Sequence, residues 1–342
     1  MAEYGLPYMG SKSSICNEII KIFPRAENFY DLFGGGFSVT HAILLRRKND
    51  YKHFHFNEIR PGICELIEKA IAGEYSYSKF KPPFVSREEF FAKLNQDAYI
   101  KICWSFGNTG MDYLFSKEIE PYKKSMHNAI VFNDFDELAT KTLGMSKFKD
   151  DYSIKQKRLY LRNRIEFFRK TKIPEFLYPY LNEEQQKQVD EITQLRQLQQ
   201  LQQLQQLERL QQLERLEQLQ QLERLTFYNT SYEQVPINPN SVIYCDIPYQ
   251  ETADYDDSDT NKFDHLKFFD WADNQTNPVF ISEYNISDKR FVPIFKINKR
   301  SLMSSDKTMN QKVEKVYANL AAVAALDGSR KTKRSELAYV SP

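Results

Sequence analysis

Apolar runs of strand length recur near both ends of the chain, and each stops at an acid or a turn residue. Phe29-Tyr30 runs into Asp31, the alternating His53-Phe54-His55-Phe56 into Asn57-Glu58, and Val242-Ile243-Tyr244 into Cys245-Asp246. Pro278 to Ser282 and Lys312 to Tyr317 complete the set. Val39 to Leu45 reads as a helix directly after the glycines Gly34, Gly35 and Gly36. The order strand, glycine loop, helix, strand predicts an α/β sheet. His53 and His55 alternate with phenylalanines and read as one face of a strand rather than as metal ligands.

The stretch between these strands has another pattern. Ser86-Arg87-Glu88-Glu89-Phe90-Phe91 looks like a capped helix start. Trp104 to Gly110 is a turn-rich loop with aromatics, and residues 155–172 carry eight Lys or Arg against one acid, with apolar residues between. This basic run is either a solvated helix face or a phosphate-facing one. Leucine then recurs at every third position from Leu195 to Leu225 among Gln, Glu and Arg, with no Gly or Pro to stop a helix. A period of three lags the α-helical turn by about 60° per triplet, so the leucines wind around the axis. No fixed stripe forms, which argues against a long coiled-coil seam. A helix of this length spans roughly 50 Å. We read it as a protruding helix or helical hairpin of low complexity, able to mediate self-association through exposed leucine. The Ala-rich and then basic stretch 318–342 does not continue a strand pattern and reads as a flexible tail.

These shifts divide the chain into an α/β catalytic part (1–75 and 226–317), a mostly helical insertion (76–190), the Leu/Gln repeat (191–225) and the tail (318–342). A length of 342 residues allows two domains with proper cores. The net charge of +1 requires any nucleic-acid surface to be a local patch. Four cysteines without paired spacing argue against a disulfide framework and a zinc site. No stretch reaches transmembrane length and no signal peptide opens the chain, which points to a reducing cytoplasm and no membrane partner.

The chemistry is densest at Asp246-Ile247-Pro248-Tyr249. An acid, a proline and an aromatic where a strand stops suit methylation of an exocyclic amino group. That nitrogen is a poor nucleophile because its lone pair is delocalised into the ring. Asp246 and a backbone carbonyl can accept its two hydrogens, and Tyr249 can stack on the base once it leaves the duplex. The same residues also make an ordinary strand-to-turn junction. Two further motifs favour the chemical reading. Phe29 to Ser38 is a strand, a Gly34-Gly35-Gly36 loop and a helix start, able to bring backbone N–H groups close to a ligand. It lacks the G-x-G-x-x-G spacing of dinucleotide enzymes. Glu58 ends the next strand about 20 residues on, the distance at which an acid meets ribose hydroxyls in Rossmann-type folds. Glu58 also suits a plain helix start before Pro61.

With these residues the chain resembles the Dam-like (alpha-group) DNA adenine N6-methyltransferases. The resemblance runs through Pro7-Tyr8-Met9-Gly10-Ser11-Lys12, then Asp31 to Gly36, Asn57-Glu58, Asp246 to Tyr249, and Thr252 with Tyr255. It covers residues 4–317 apart from the repeat. It implies a Rossmann-like S-adenosylmethionine-dependent methyltransferase sheet with an inserted target-recognition domain, acting on duplex DNA. It also assigns roles. Asp31 and Gly34 to Gly36 hold the methionine end of S-adenosylmethionine, and Glu58 holds its ribose. Tyr8, Gly10 and Lys12 border the cofactor, with Lys12 near its carboxylate or near Asp246. Phe33 or Phe37 packs either on the cofactor or in the core. Asp246, Ile247, Pro248 and Tyr249 are catalytic, and Tyr249 and Tyr255 cradle the flipped base with Lys12 nearby. No metal is needed, because the sulfonium supplies the leaving group. Two departures stand out: Ile247 replaces a proline and Ser11 a glycine. An amino methyltransferase acting on cytosine or RNA, and a non-enzymatic nucleic-acid-binding assembly module, remain as alternatives.

Overall fold

The computed structural model describes residues 3–170, 182–183, 186, 204–219, 224–249, 263–299 and 312–327. It forms two compact units: Met1–Glu68 with Gln218–Pro342, and Lys69–Glu217.

The first unit is built on one seven-stranded sheet. Its strands are β1 (Asn28–Asp31), β2 (His53–Asn57), β3 (Leu225–Tyr228), β4 (Ser241–Cys245), β5 (Val279–Glu283), β6 (Val292–Lys299) and β7 (Lys312–Ala318). The order across the sheet is β3-β2-β1-β4-β5-β7-β6. The first five strands in that order pair in parallel, and β7 lies antiparallel to both β5 and β6. Every residue of β1, β4 and β5 is buried, as expected for parallel strands covered on both faces. His55 is part of this packing, with its ring stacked on Tyr30 at 4.0 Å, and burial pushes its pKa down to about 4. Helices accompany the strands, among them α1 (Cys16–Ile19), α2 (Ser38–Arg46) after β1, and α10 (His265–Asp273) between β4 and β5. Strand order reverses between β1 and β4, and in open α/β sheets that reversal places a crevice at the carboxyl ends of the two strands. Asp31 ends β1 and Asp246 follows β4.

The second unit is helical in its described residues. It holds the last residues of α3 (Ile63–Ile71), then α4 (Arg87–Lys93), α5 (Ala98–Cys103), α6 (Glu120–Phe132), α7 (Glu137–Leu143), α8 (Ile154–Lys170) and α9 (Gln205–Glu214). Ser86 caps α4, its hydroxyl accepting from the Glu89 N–H. The basic run splits along α8. Leu161 and Ile165 are buried, Lys157 lies over the Phe148 ring, and Arg158 pairs with Glu208 at 3.0 Å. Lys155 and Arg162 face solvent.

The described part of the repeat departs from the expected protruding helix. Leu204, Leu207, Leu210, Leu213, Leu216 and Leu219 are all buried, none more than 2% exposed. From Leu204 to Leu213 the leucines sweep about half the circumference of α9, so the helix is embedded rather than one-sided. Its polar positions are used too. Arg209 is buried and donates to the carbonyls of Ile102, Cys103 and Ser105. The next residues, Arg215–Leu219, are 3₁₀, whose three residues per turn match the leucine period. The last leucine of the repeat, Leu225, is not helical but begins β3, and residues 191–203 and 220–223 lie outside the described residues. The expected tail is also ordered at its start: Ala318 closes β7, residues 320–327 are helical, and Ala322 is buried.

Candidate active site

A cavity of about 370 Å³ opens at the carboxyl ends of β1 and β4. Its wall contains most of the residues singled out in the sequence: Tyr8, Gly10, Lys12, Asp31, Phe33, Gly34, Gly35, Gly36, Glu58, Asp246, Ile247, Pro248 and Tyr249. A larger open groove of about 1160 Å³ lies at the amino ends of β4 and β5, around Asn240–Val242 and Asn277–Pro278. It holds none of these residues, and the crevice rule places no ligand there.

The glycine loop is shaped by close approach. A Cβ on Gly34 would sit 2.0 Å from the Phe56 ring, and one on Gly36 would sit 2.5 Å from Tyr8 Cβ. The N-terminal motif is pinned to the same loop by the Leu6 N–H, which donates to the Gly36 carbonyl at 2.7 Å. Glu58 closes the loop from β2. Its Oε2 accepts from Gly35 N–H at 2.8 Å and its Oε1 from Arg60 N–H at 3.0 Å. Burial raises the Glu58 pKa, with those bonds and the Arg60 charge opposing it. The Arg60 guanidinium lies over the Tyr8 ring, 5.3 Å from its centroid.

Asp31 is 1% exposed. Its Oδ2 accepts from the Thr40 hydroxyl at 2.7 Å, while Oδ1 is buried without a hydrogen bond. Burial pushes its carboxyl up to about 7, against the Thr40 bond and helped by Asp246 and Glu58. Phe33 joins an aromatic wall with Tyr232, Phe263 and Phe268. Phe37 does not reach the cavity. It is fully buried against Phe56 and His41, which makes it a core residue.

Lys12 is the hub of the opposite wall. Its ammonium lies 2.8 Å from Asp246 Oδ1 and 3.1 Å from Glu314 Oε1, and donates to the Tyr249 hydroxyl at 2.6 Å. That hydroxyl donates in turn to Glu314 Oε1 at 2.8 Å. Burial works against the ammonium, but Asp246 and Glu314 together outweigh it and hold the Lys12 pKa above its ordinary value. Burial, then the same two carboxylates, keep the Tyr249 phenol protonated. The ring of Tyr284 meets the Tyr249 ring edge-on at 4.5 Å. The Pro248 carbonyl accepts from His265 Nε2 at 2.7 Å, and Ile247 packs into the core with Tyr30, Leu32 and Phe268. Thr252 and Tyr255 lie outside the described residues.

Several residues of the site escaped the sequence reading. Thr230, Ser231 and Tyr232 follow β3, and Tyr284 follows β5. Their signal was position, just past the end of a parallel strand. Glu314 sits within β7, between Val313 and Lys315, and is 1% exposed. A lone acid among lysines and valines gave no such signal.

Among the described residues, no helix is long and apolar enough to cross a membrane. No curated protein matches the chain. The sequence model of D12 class N6 adenine-specific DNA methyltransferase matches residues 8–311, a span that takes in the glycine loop, Glu58 and the Asp246 motif. The chain therefore belongs to the D12 class N6 adenine-specific DNA methyltransferase family, whose members methylate adenine N6 in DNA.

Proposed function

We propose that the chain methylates one adenine in a defined sequence of duplex DNA after that base turns out of the helix, with Asp246 as the hydrogen acceptor. The observation that carries this reading is the ion pair between Lys12 and Asp246 at the cavity wall. A carboxylate held by a fixed ammonium keeps its charge and its direction. It can accept a hydrogen of the adenine amino group and draw the nitrogen lone pair out of the ring. The second hydrogen goes to the carbonyl of Ile247, since His265 takes that of Pro248. After transfer the amino nitrogen is cationic, and it sheds one hydrogen toward Asp246. Tyr249 offers its ring to the base, and its hydroxyl bonds fix where the ring stands.

The other half of the cavity suits S-adenosylmethionine. The buried, unbonded Oδ1 of Asp31 fits a donor of positive charge, and Gly34, Gly35 and Gly36 line the cavity beside it. Gly34 to Gly36 with Asp31 would hold the methionine end, Glu58 the ribose, and Tyr8, Gly10 and Phe33 the flanks. When bound, the cofactor supplies a methyl group on a sulfonium that leaves as a neutral thioether. With DNA as substrate, the site of action is the cytoplasm of a bacterial or phage-infected cell.

Sequencing with modified-base detection of DNA from cells expressing the protein tests the reading. N6-methyladenine should appear in one sequence context with the wild type and vanish with Asp246→Ala. Methylation of cytosine, or of RNA alone, would overturn it.

A further inference from the structure

We propose that Glu314 is a positioning residue for methyl transfer, holding Lys12 and Tyr249 so that Asp246 meets the target amino group in one fixed place. The inference rests on the role given to Asp246 above. Glu314 stands on β7 two residues before the fully buried Val316, on a part of the strand where a carboxylate is costly unless paired. Two donors from the site converge on its Oε1: Lys12 at 3.1 Å and the Tyr249 hydroxyl at 2.8 Å.

The hydrogens fix the direction of every bond. An ammonium only donates and a carboxylate only accepts. The Tyr249 hydroxyl therefore accepts one hydrogen from Lys12 and gives its own to Glu314. Lys12 has three hydrogens and three acceptors around it: Asp246, Glu314 and Tyr249. With all three engaged, the ammonium cannot swing, and it holds Asp246 from a fixed side. Glu314 does not line the cavity. It touches neither base nor methyl donor and acts through Lys12 and Tyr249. Without its charge, Lys12 would pair with Asp246 alone and make it a poorer acceptor, while Tyr249 would lose its anchor.

The test uses the full-length protein, tritiated S-adenosylmethionine and genomic DNA free of N6-methyladenine. Glu314→Gln keeps the size and removes the charge. Its kcat should fall about tenfold to a hundredfold, as for a misplaced reacting group. The dissociation constant for S-adenosylhomocysteine, by calorimetry, should stay within about twofold of wild type, because Glu314 is outside the cavity. Wild-type kcat would overturn the proposal, and so would a loss of cofactor binding in step with kcat, which marks a merely structural residue. Should Glu314→Gln fail to fold, Tyr249→Phe decides in its place. It keeps the ring and removes the hydroxyl, so a similar kcat loss supports the proposal and full activity refutes it. Where both fold, the double variant should be no slower than the slower single one, since the two residues act as a unit; additive losses would refute it. Asp246→Ala run in parallel separates the two levels. If it is dead while Glu314→Gln is fully active, only the Glu314 role falls. If Asp246→Ala is active, the acceptor reading falls with it.

Discussion

Lys12 from the N-terminal motif and Asp246 from the loop after β4 meet at 2.8 Å, with only 7% and 20% of their side chains exposed. Neither motif explains its charged residue alone. Lys12 needs a counter-ion because burial works against the ammonium, and Asp246 needs a fixed cation if it is to accept a hydrogen from one direction. Their meeting turns two moderate sequence signals into one piece of chemistry.

Asp246→Ala should therefore remove methyl transfer while sparing cofactor binding. Loss of a preorganised electrostatic partner typically costs roughly 10²–10³ in kcat. The fold should survive, because Lys12 keeps Glu314 at 3.1 Å. Single-turnover methylation together with calorimetric binding of S-adenosylhomocysteine checks both halves, and near wild-type turnover would sink the assignment.

Glu58→Ala should weaken S-adenosylhomocysteine by about 1.5–3 kcal/mol, the range for hydrogen bonds to a charged group. DNA affinity should change much less. Part of the loss comes through the loop, because Glu58 also accepts from the Gly35 and Arg60 N–H groups. Glu58→Gln should keep part of that scaffold and so lose less. Equal affinities for wild type and Glu58→Ala would return Glu58 to a purely structural role.

Asp31 predicts a pH dependence. Its folded pKa, about 7, lies above the ordinary aspartate value of 3.8. Between about pH 4 and pH 7 the folded state therefore binds more protons than the unfolded chain, and stability falls as pH rises through that window. Glu58, also raised, adds in the same sense. Asp31→Asn should flatten the decline in thermal midpoint between those pH values. Cofactor affinity should run the other way, rising with pH as Asp31 ionises, and should lose most of that rise in Asp31→Asn. Parallel slopes for wild type and variant would refute the role given to Asp31.

How much of this was legible in the sequence follows from where each residue sits. Asp31, Gly34 to Gly36 and Asp246 were readable because buried parallel strands appear as apolar runs that stop abruptly, and the stops are where ligands bind. Glu314 was not, because it lies inside an antiparallel strand, as a lone acid in Lys-Val-Glu-Lys-Val, where no apolar run stops. Nothing local in that stretch reveals that Lys12 and Tyr249 arrive at it. Phe37 looked as suited to the cofactor as Phe33, but its backbone takes φ +67° and its ring goes into the core. The leucine triplet misled for a different reason. Period three excludes a one-sided helix, which suggested exposure, but a helix packed on several sides needs no single face.

That correction reverses the expectation for the repeat itself. Had its leucines been exposed, deletion of residues 198–222 would leave methylation measurable and weaken self-association. Leu204 to Leu216 are instead buried, and Arg209 ties α9 to the carbonyls that lead into the Trp104 loop. The deletion should therefore unfold the helical unit and remove DNA methylation with it. A milder variant isolates the cause. Leu210, which is fully buried, should cost about 2–5 kcal/mol when changed to Ala. Arg209→Leu should also destabilise, because three carbonyls would lose their donor. Denaturant unfolding of Leu210→Ala and sedimentation of the wild type at several concentrations check both points. The wild type should show no association that these leucines drive, since they are already covered within the chain. A stable, active deletion of 198–222 would mean that the packing seen around α9 contributes nothing to the fold.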